Sequence, residues 1–131
     1  MRKTICLWLL LAGTCAAQAG RPETVMVRMQ AKPGAEEELA RVIARHWKTT
    51  HELKLVQDGP HVTLRGTENG KTYFIEIFTW RDAGIPDAAP PAVQAIWTEM
   101  NRLVEARGGR PGLEFTEVSI VDGTNAASAR P

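Results

Sequence analysis

The segment His61–Trp80, HVTLRGTENGKTYFIEIFTW, decides the fold of this 131-residue chain. Asn69-Gly70 sits at its centre. A two-residue type I′ turn needs positive φ at both central positions, and Asn-Gly is the pair that tolerates this best. With the turn there, Glu68 pairs with Lys71, Thr67 with Thr72, Gly66 with Tyr73, and Arg65 with Phe74. Leu64 then faces Ile75, Thr63 faces Glu76, Val62 faces Ile77 and His61 faces Phe78. Side chains alternate across a strand. One face of the hairpin therefore carries Val62, Leu64, Ile75 and Ile77. The other carries His61, Thr63, Arg65, Phe74, Glu76, Phe78 and Trp80. The first face is apolar and the second mixes aromatic rings with charges, so both need a cover.

The chain opens with the marks of a targeting segment. Arg2 and Lys3 form a positive start. Ile5–Ala12 is an apolar run too short to span a bilayer, and Ala17-Gln18-Ala19 has the small-residue pattern of a cleavage site. The expectation is a signal peptide over 1–19, a chain starting at Gly20 and export to the periplasm or beyond. The rival reading is a lipid anchor on Cys15, although Thr14 stands where Gly or Ala is usual. Both cysteines, Cys6 and Cys15, leave with residues 1–19, so disulfides and thiolate metal sites go with them. The net charge is +1, and loss of Arg2 and Lys3 leaves it near neutrality. Neither nucleic acid nor an anionic membrane is indicated as a partner, and no stable membrane span is expected.

Around the hairpin the remaining elements follow from periodicity. Thr24–Ala31 reads as a strand with Val25, Val27 and Met29 on one face. Residues 35–50 read as a helix, because Leu39, Val42, Ile43, His46 and Trp47 recur at helical spacing behind Glu36, Glu37 and Glu38. His51–Pro60 is a connector whose Leu53, Leu55 and Val56 are expected to pack on the domain edge. A second helix is expected over Pro91–Arg107 with the stripe Val93, Ile96, Trp97, Met100, Leu103 and Val104, stopped by Gly108-Gly109. Gly112–Val121 reads as the last strand, and 123–131 as a disordered tail.

The order strand, helix, strand, strand, helix, strand is the ferredoxin-like βαββαβ arrangement. It gives an α+β domain over 23–122, a four-stranded antiparallel sheet with two helices on one face. The other face is bare in a monomer. A homodimer packing sheet against sheet would cover it.

The chain resembles the dimeric α+β barrel superfamily, and within it the antibiotic biosynthesis monooxygenase-like domains. The resemblance rests on the first strand running into Ala31-Lys32-Pro33-Gly34-Ala35-Glu36-Glu37-Glu38, on the hairpin, and on a third strand ending in Trp80-Arg81-Asp82. It covers about Glu23 to Asp122. It implies a pocket between sheet and helices, with Trp80 on its wall. The face with Phe74, Glu76, Phe78 and Trp80 then looks at the helices, and Val62, Leu64, Ile75 and Ile77 form the dimer interface. Alternation alone does not distinguish the two faces. The family includes cofactor-independent quinol and polyketide monooxygenases and haem-degrading enzymes. The haem-degrading members carry Asn on the first strand and a ligating His on the second helix. The first strand here has no Asn and the second helix no His, which argues against haem chemistry.

Glu76 and His46 are the candidate catalytic residues. A carboxylate buried among apolar groups would have a raised pKa and would suit a base. The competing expectation for Glu76 is a structural ion pair with Arg65, its diagonal neighbour, or with Arg28. Histidine moves protons near neutral pH, but a hydrogen-bonded His46 at the core edge is the commoner arrangement. His46, His51 and His61 do not share a helical face, so no metal site is expected. The expected ligand pocket comprises Phe74, Glu76, Phe78, Trp80, Trp47, Trp97 and Met100, with rings that would stack a small aromatic ligand. Three functions fit: a cofactor-independent monooxygenase acting on a quinol or aromatic compound, a non-catalytic binding module, or a structural dimerisation module. No cofactor is implied.

Overall fold

A computed structural model describes residues 20–121. The signal peptide and lipid anchor expected in 1–19, and the tail expected over 123–131, lie outside the described residues. The elements are β1 (Glu23–Gln30), α1 (Glu36–Glu52), β2 (Val62–Glu68), β3 (Lys71–Trp80), a 3₁₀ turn (Pro86–Ala88), α2 (Pro91–Leu103) and β4 (Leu113–Glu117). They form one sheet in the order β2-β3-β1-β4, with every neighbouring pair antiparallel. This is the ferredoxin-like fold.

The hairpin register holds pair for pair from Val62–Ile77 to Glu68–Lys71. Asn69 and Gly70 have φ of 52° and 74°, as a type I′ turn requires. Gly66 leaves room for the ring of Tyr73 opposite it: a Cβ there would come within 2.4 Å of that ring and the tyrosine would have to move. Strand β1 lies between β3 and β4 and buries Val25, Val27 and Met29 towards the helices. The stripes of α1 (Leu39, Val42, Ile43) and α2 (Val93, Ile96, Met100, Leu103) are buried. Full burial of each such aliphatic side chain contributes about 1.5–3 kcal/mol.

Several boundaries differ from the expectation. Helix α1 continues through Glu52. Leu53, just beyond it, is 46% exposed and does not pack on the edge, whereas Val56 is fully buried and bridges to Trp80. Helix α2 ends at Leu103, four residues early. There the chain turns extended to pair with the end of β1: Lys32 N–H donates to Leu103 O and Glu105 N–H to Gln30 O, both at 2.9 Å. Sheet hydrogen bonds thus replace the last helical ones. Gly108-Gly109 is consequently no helix stop. With φ of 52° and 80°, these two form a second tight turn, closed by the exchange of hydrogen bonds between Arg107 and Arg110. Strand β4 is five residues long and begins at Leu113.

Candidate functional site

Alternation along β3 turns Phe74, Glu76, Phe78 and Trp80 towards the helices, and all four are buried. Glu76 is the charged member of this row, at 1% exposure. Its two oxygens have different partners. Oε1 lies 3.2 Å from His61 Nε2, and Oε2 lies 3.5 Å from His46 Nδ1. Neither expected arginine pairs with Glu76. Arg28 stands opposite Ile75, so it points to the other face of the sheet. There it covers the Tyr73 ring at 4.0 Å and binds Glu68 at 2.6 Å. Arg65 reaches outward to Glu37 at 2.7 Å. In the hairpin register His61 and Arg65 flank Thr63, the direct partner of Glu76, on its two sides, which makes both diagonal neighbours of Glu76. Strand twist makes the two diagonals unequal, and the one to His61 is closed.

His46 comes from the buried stripe of α1, two turns beyond Leu39, and is 3% exposed. Trp97 Nε1–H, from α2, donates to His46 Nε2 at 3.1 Å. An indole N–H only donates, so His46 Nε2 must present a lone pair. The hydrogen-bond network therefore assigns the proton of the neutral ring to Nδ1, which faces Glu76. At 3.5 Å that contact is longer than a well-formed hydrogen bond, and Nδ1 has no better partner. Phe78 and Trp80 enclose the ring edge-on, at centroid distances of 5.6 and 6.3 Å. His61 lies flat on Trp47, with centroids 3.7 Å apart and planes 3° from parallel, and its side chain is 23% exposed.

Burial is the strongest influence on Glu76 and pushes its carboxyl up. Hydrogen bonds from His46 and His61, together with their charge interactions, outweigh it and hold the group below the usual carboxylate range. The raised pKa expected of a lone buried carboxylate is therefore absent. Glu76 stays ionised and orients two histidines.

A cavity of about 250 Å³ opens beside this cluster, between α2, β4 and the Pro86 turn. It is lined by Trp80, Pro86, Trp97, Asn101, Leu113 and Phe115. The rings of Trp80 and Trp97 stand 88° to one another with centroids 6.2 Å apart. Trp97 belongs to both sites: its ring walls the cavity and its N–H holds His46. Phe74, Phe78 and Met100 are packed in the core, and Trp47 stands over His61. His51 is apart from all of these, paired with Asp58 at 2.9 Å. Among the described residues no three His, Cys, Asp or Glu side chains are grouped to hold a metal ion. No described helix is long and apolar enough to cross a membrane.

His61, Pro86, Asn101, Leu113 and Phe115 are the site residues that sequence reasoning did not select. His61 carried a signal, since the register placed it on the same face as Glu76. The others lie on α2, on β4 and in the Pro86 turn, whose juxtaposition no local pattern encodes.

No known family model matches the chain, and no curated protein does. Solved structures do. A variant of SnoaB, a cofactor-independent oxygenase from Streptomyces nogalater, is 19% identical; the match covers 77% of this chain and 94% of that one, with a TM-score of 0.58. An antibiotic biosynthesis monooxygenase is 13% identical over 78% of this chain and 100% of that one, with a TM-score of 0.58. A dimeric ferredoxin-like protein of unknown function from a Jannaschia species is 18% identical over 76% and 100%, with a TM-score of 0.54. The chain thus has the ferredoxin-like fold of antibiotic biosynthesis monooxygenase-like proteins.

Proposed function

We propose that this protein is a cofactor-independent monooxygenase acting on a quinol or a related aromatic compound. The observation that carries the reading is the apolar cavity walled by two indoles, one of which is hydrogen-bonded to a histidine oriented by a buried carboxylate. The fold is shared with an oxygenase described as cofactor-independent. In this reading a flat ring lies against Trp80 and Trp97. Its hydroxyl takes the place of the Trp97 N–H at His46 Nε2 and gives up its proton there. The resulting anion is electron-rich enough to react with dioxygen directly. Overall, a quinol and dioxygen give a hydroxylated quinone and water. Oxygen uptake with a panel of quinols measures this, and His46→Gln should lower the rate by about 10²-fold or more, as loss of a positioned base does. Wild-type protein that binds quinols with no oxygen uptake would leave the second reading, a non-catalytic aromatic-binding module. One observation favours that module: His46 Nε2 is already occupied by the Trp97 N–H.

The protein acts, in this proposal, as a homodimer. Support comes from the open sheet face, where Val62 and Leu64 are 40% and 50% exposed beside Ile75 and Ile77. A ferredoxin-like neighbour in the same fold is described as dimeric. Export with cleavage after Ala19 belongs to the same proposal. Cleavage there would convert the Gly20 N–H, which donates to Asp82 Oδ2 at 2.5 Å, into an ammonium facing that carboxylate. Mass spectrometry of native protein should find Gly20 first; a lipid-bearing Cys15 would overturn it.

A further inference from the structure

We infer that His61 is the proton port of the buried Glu76–His46 pair, the one group through which that pair exchanges protons with water. Glu76 and His46 are 1% and 3% exposed, so neither meets solvent on its own account. Any change in their protonation must pass through a polar neighbour. Among the described residues they have two with side-chain hydrogen bonds to them, Trp97 and His61, apart from Thr50, whose hydroxyl is spent on the His46 and Trp47 carbonyls. Trp97 is closed as a route, because its single N–H donates to His46 and an indole has no second site to take a proton. His61 has two ring nitrogens. One contacts Glu76 Oε1 at 3.2 Å, and the ring reaches the surface with 23% of its side chain exposed. Its stack on Trp47 holds the imidazole plane in place without using either nitrogen.

The other charged groups nearby are committed elsewhere. Arg65 is paired with Glu37, His51 with Asp58, and Arg28 lies across the sheet with Glu68. Thr63 Oγ1 stands 3.5 Å from His61 Nε2 and can hold the ring but does not titrate in water. The row is therefore His46, Glu76, His61, solvent. One proton moves at each step. When His46 gains a proton at Nε2, its Nδ1 proton passes to Glu76, closing the 3.5 Å gap by a small ring movement. At rest His61 Nε2–H donates to the carboxylate. Once Glu76 is neutral, His61 moves its proton to Nδ1 by exchange with water, takes the Glu76 proton at Nε2 and releases the Nδ1 proton to water. The sum is one proton carried from the cavity side to solvent, with every group returned to its starting charge. His46 ends with its proton on Nε2 and must return to the Nδ1–H form, which accepts from Trp97, before the next passage. The proposed monooxygenase releases no net proton, so there the row would carry the quinol's proton outward and return one for the water that forms. For that use the inference rests on the function proposed above, but the exchange itself does not.

The test follows the ring proton of His46 by NMR, measuring its exchange with water in the ligand-free protein. His61→Phe keeps an aromatic ring over Trp47 and removes both nitrogens. Exchange should slow by roughly 10²-fold, the low end of what a positioned acid–base group supplies. His61→Ala leaves a gap at the same place, and added imidazole should restore its exchange in proportion to concentration, while His61→Phe gains nothing from it. Matching thermal melts of wild type and His61→Phe confirm that the fold is intact. Unchanged exchange in His61→Phe would overturn the inference, as would a slowed exchange that imidazole leaves slow in His61→Ala. No substrate is involved. If exchange slows and is rescued while wild type consumes no oxygen with any quinol, the port stands and the monooxygenase falls.

Discussion

The two faces of the sheet are made from the same strands by the same alternation, yet they end in opposite states. Towards the helices, Glu76, Phe78 and Trp80 are 1% exposed and Phe74 is 3% exposed. On the other side, Val62 and Leu64 are 40% and 50% exposed, and Ile75 and Ile77 are half-buried. Aliphatic character does not decide which face is covered. Within the hairpin the richer aliphatic face is the bare one, and the face with the carboxylate is the core. The decision lies with the helices, whose stripes bring His46 and Trp97 to meet that carboxylate. A face that contains a charge is coverable when its cover carries the partners, because a buried charge must be paired and hydrogen-bonded.

This contrast is broken most strongly from the covered side. Trp80 is at once a core residue and a cavity wall, and its 1% exposure predicts a full truncation cost. Trp80→Ala should lose about 3–5 kcal/mol in equilibrium denaturation. A loss of less than about 1 kcal/mol would mean that the indole borders space already open, and would then be expected together with weakened binding of aromatic ligands.

Glu76→Gln is the next largest. It removes a charge acceptor facing two histidines and should cost about 1–3 kcal/mol at neutral pH. Its sign with pH is fixed by the direction of the shift. The folded carboxyl titrates below its ordinary value of 4.5, so ionised Glu76 stabilises the fold fully above that value. The contribution is lost as pH falls through the folded value. Wild type and Glu76→Gln should therefore differ in unfolding free energy near neutrality and converge in acid. A gap that stayed constant down to low pH would show that the charge contributes nothing.

The bare face should respond least in the monomer. Leu64→Ala there is expected to change monomer stability by no more than about 0.5 kcal/mol, as at other exposed positions. Ile77→Lys should instead act on association, because a lysine cannot be buried unpaired in an apolar seam. Sedimentation should show a dimer for wild type and a monomer for the variant. Wild type sedimenting as a monomer at micromolar concentration would leave the bare face without its proposed partner.

Much of the fold was written locally. Asn69-Gly70 requires a tight turn, that turn sets the register, and the register assigns each hairpin residue to a face. The two helical stripes, each with one apolar side, then leave a single arrangement of layers. The helix end at Leu103 was not legible in this way, because Gly108-Gly109 reads equally as a helix stop and as a hairpin turn. What selected the turn was pairing of Val104 with Ala31, more than seventy residues away along the chain.

The site divides along the same line. Periodicity alone placed Glu76 on a row with three aromatic rings and His46 on the buried stripe of α1. Spacing along a strand or helix is a local property, and burial follows from it. The partner of Glu76 was a matter for tertiary structure. Arg28, Arg65 and His61 were all within reach on paper, and strand parity excluded the first while the outward reach of Arg65 to Glu37 and the stack of His61 on Trp47 separated the other two. The cavity was likewise decided only in three dimensions, since its wall joins the Pro86 turn, α2 and β4. Which side chains meet across such elements depends on helix rotation and sheet twist, and these are set by the packing of the whole core.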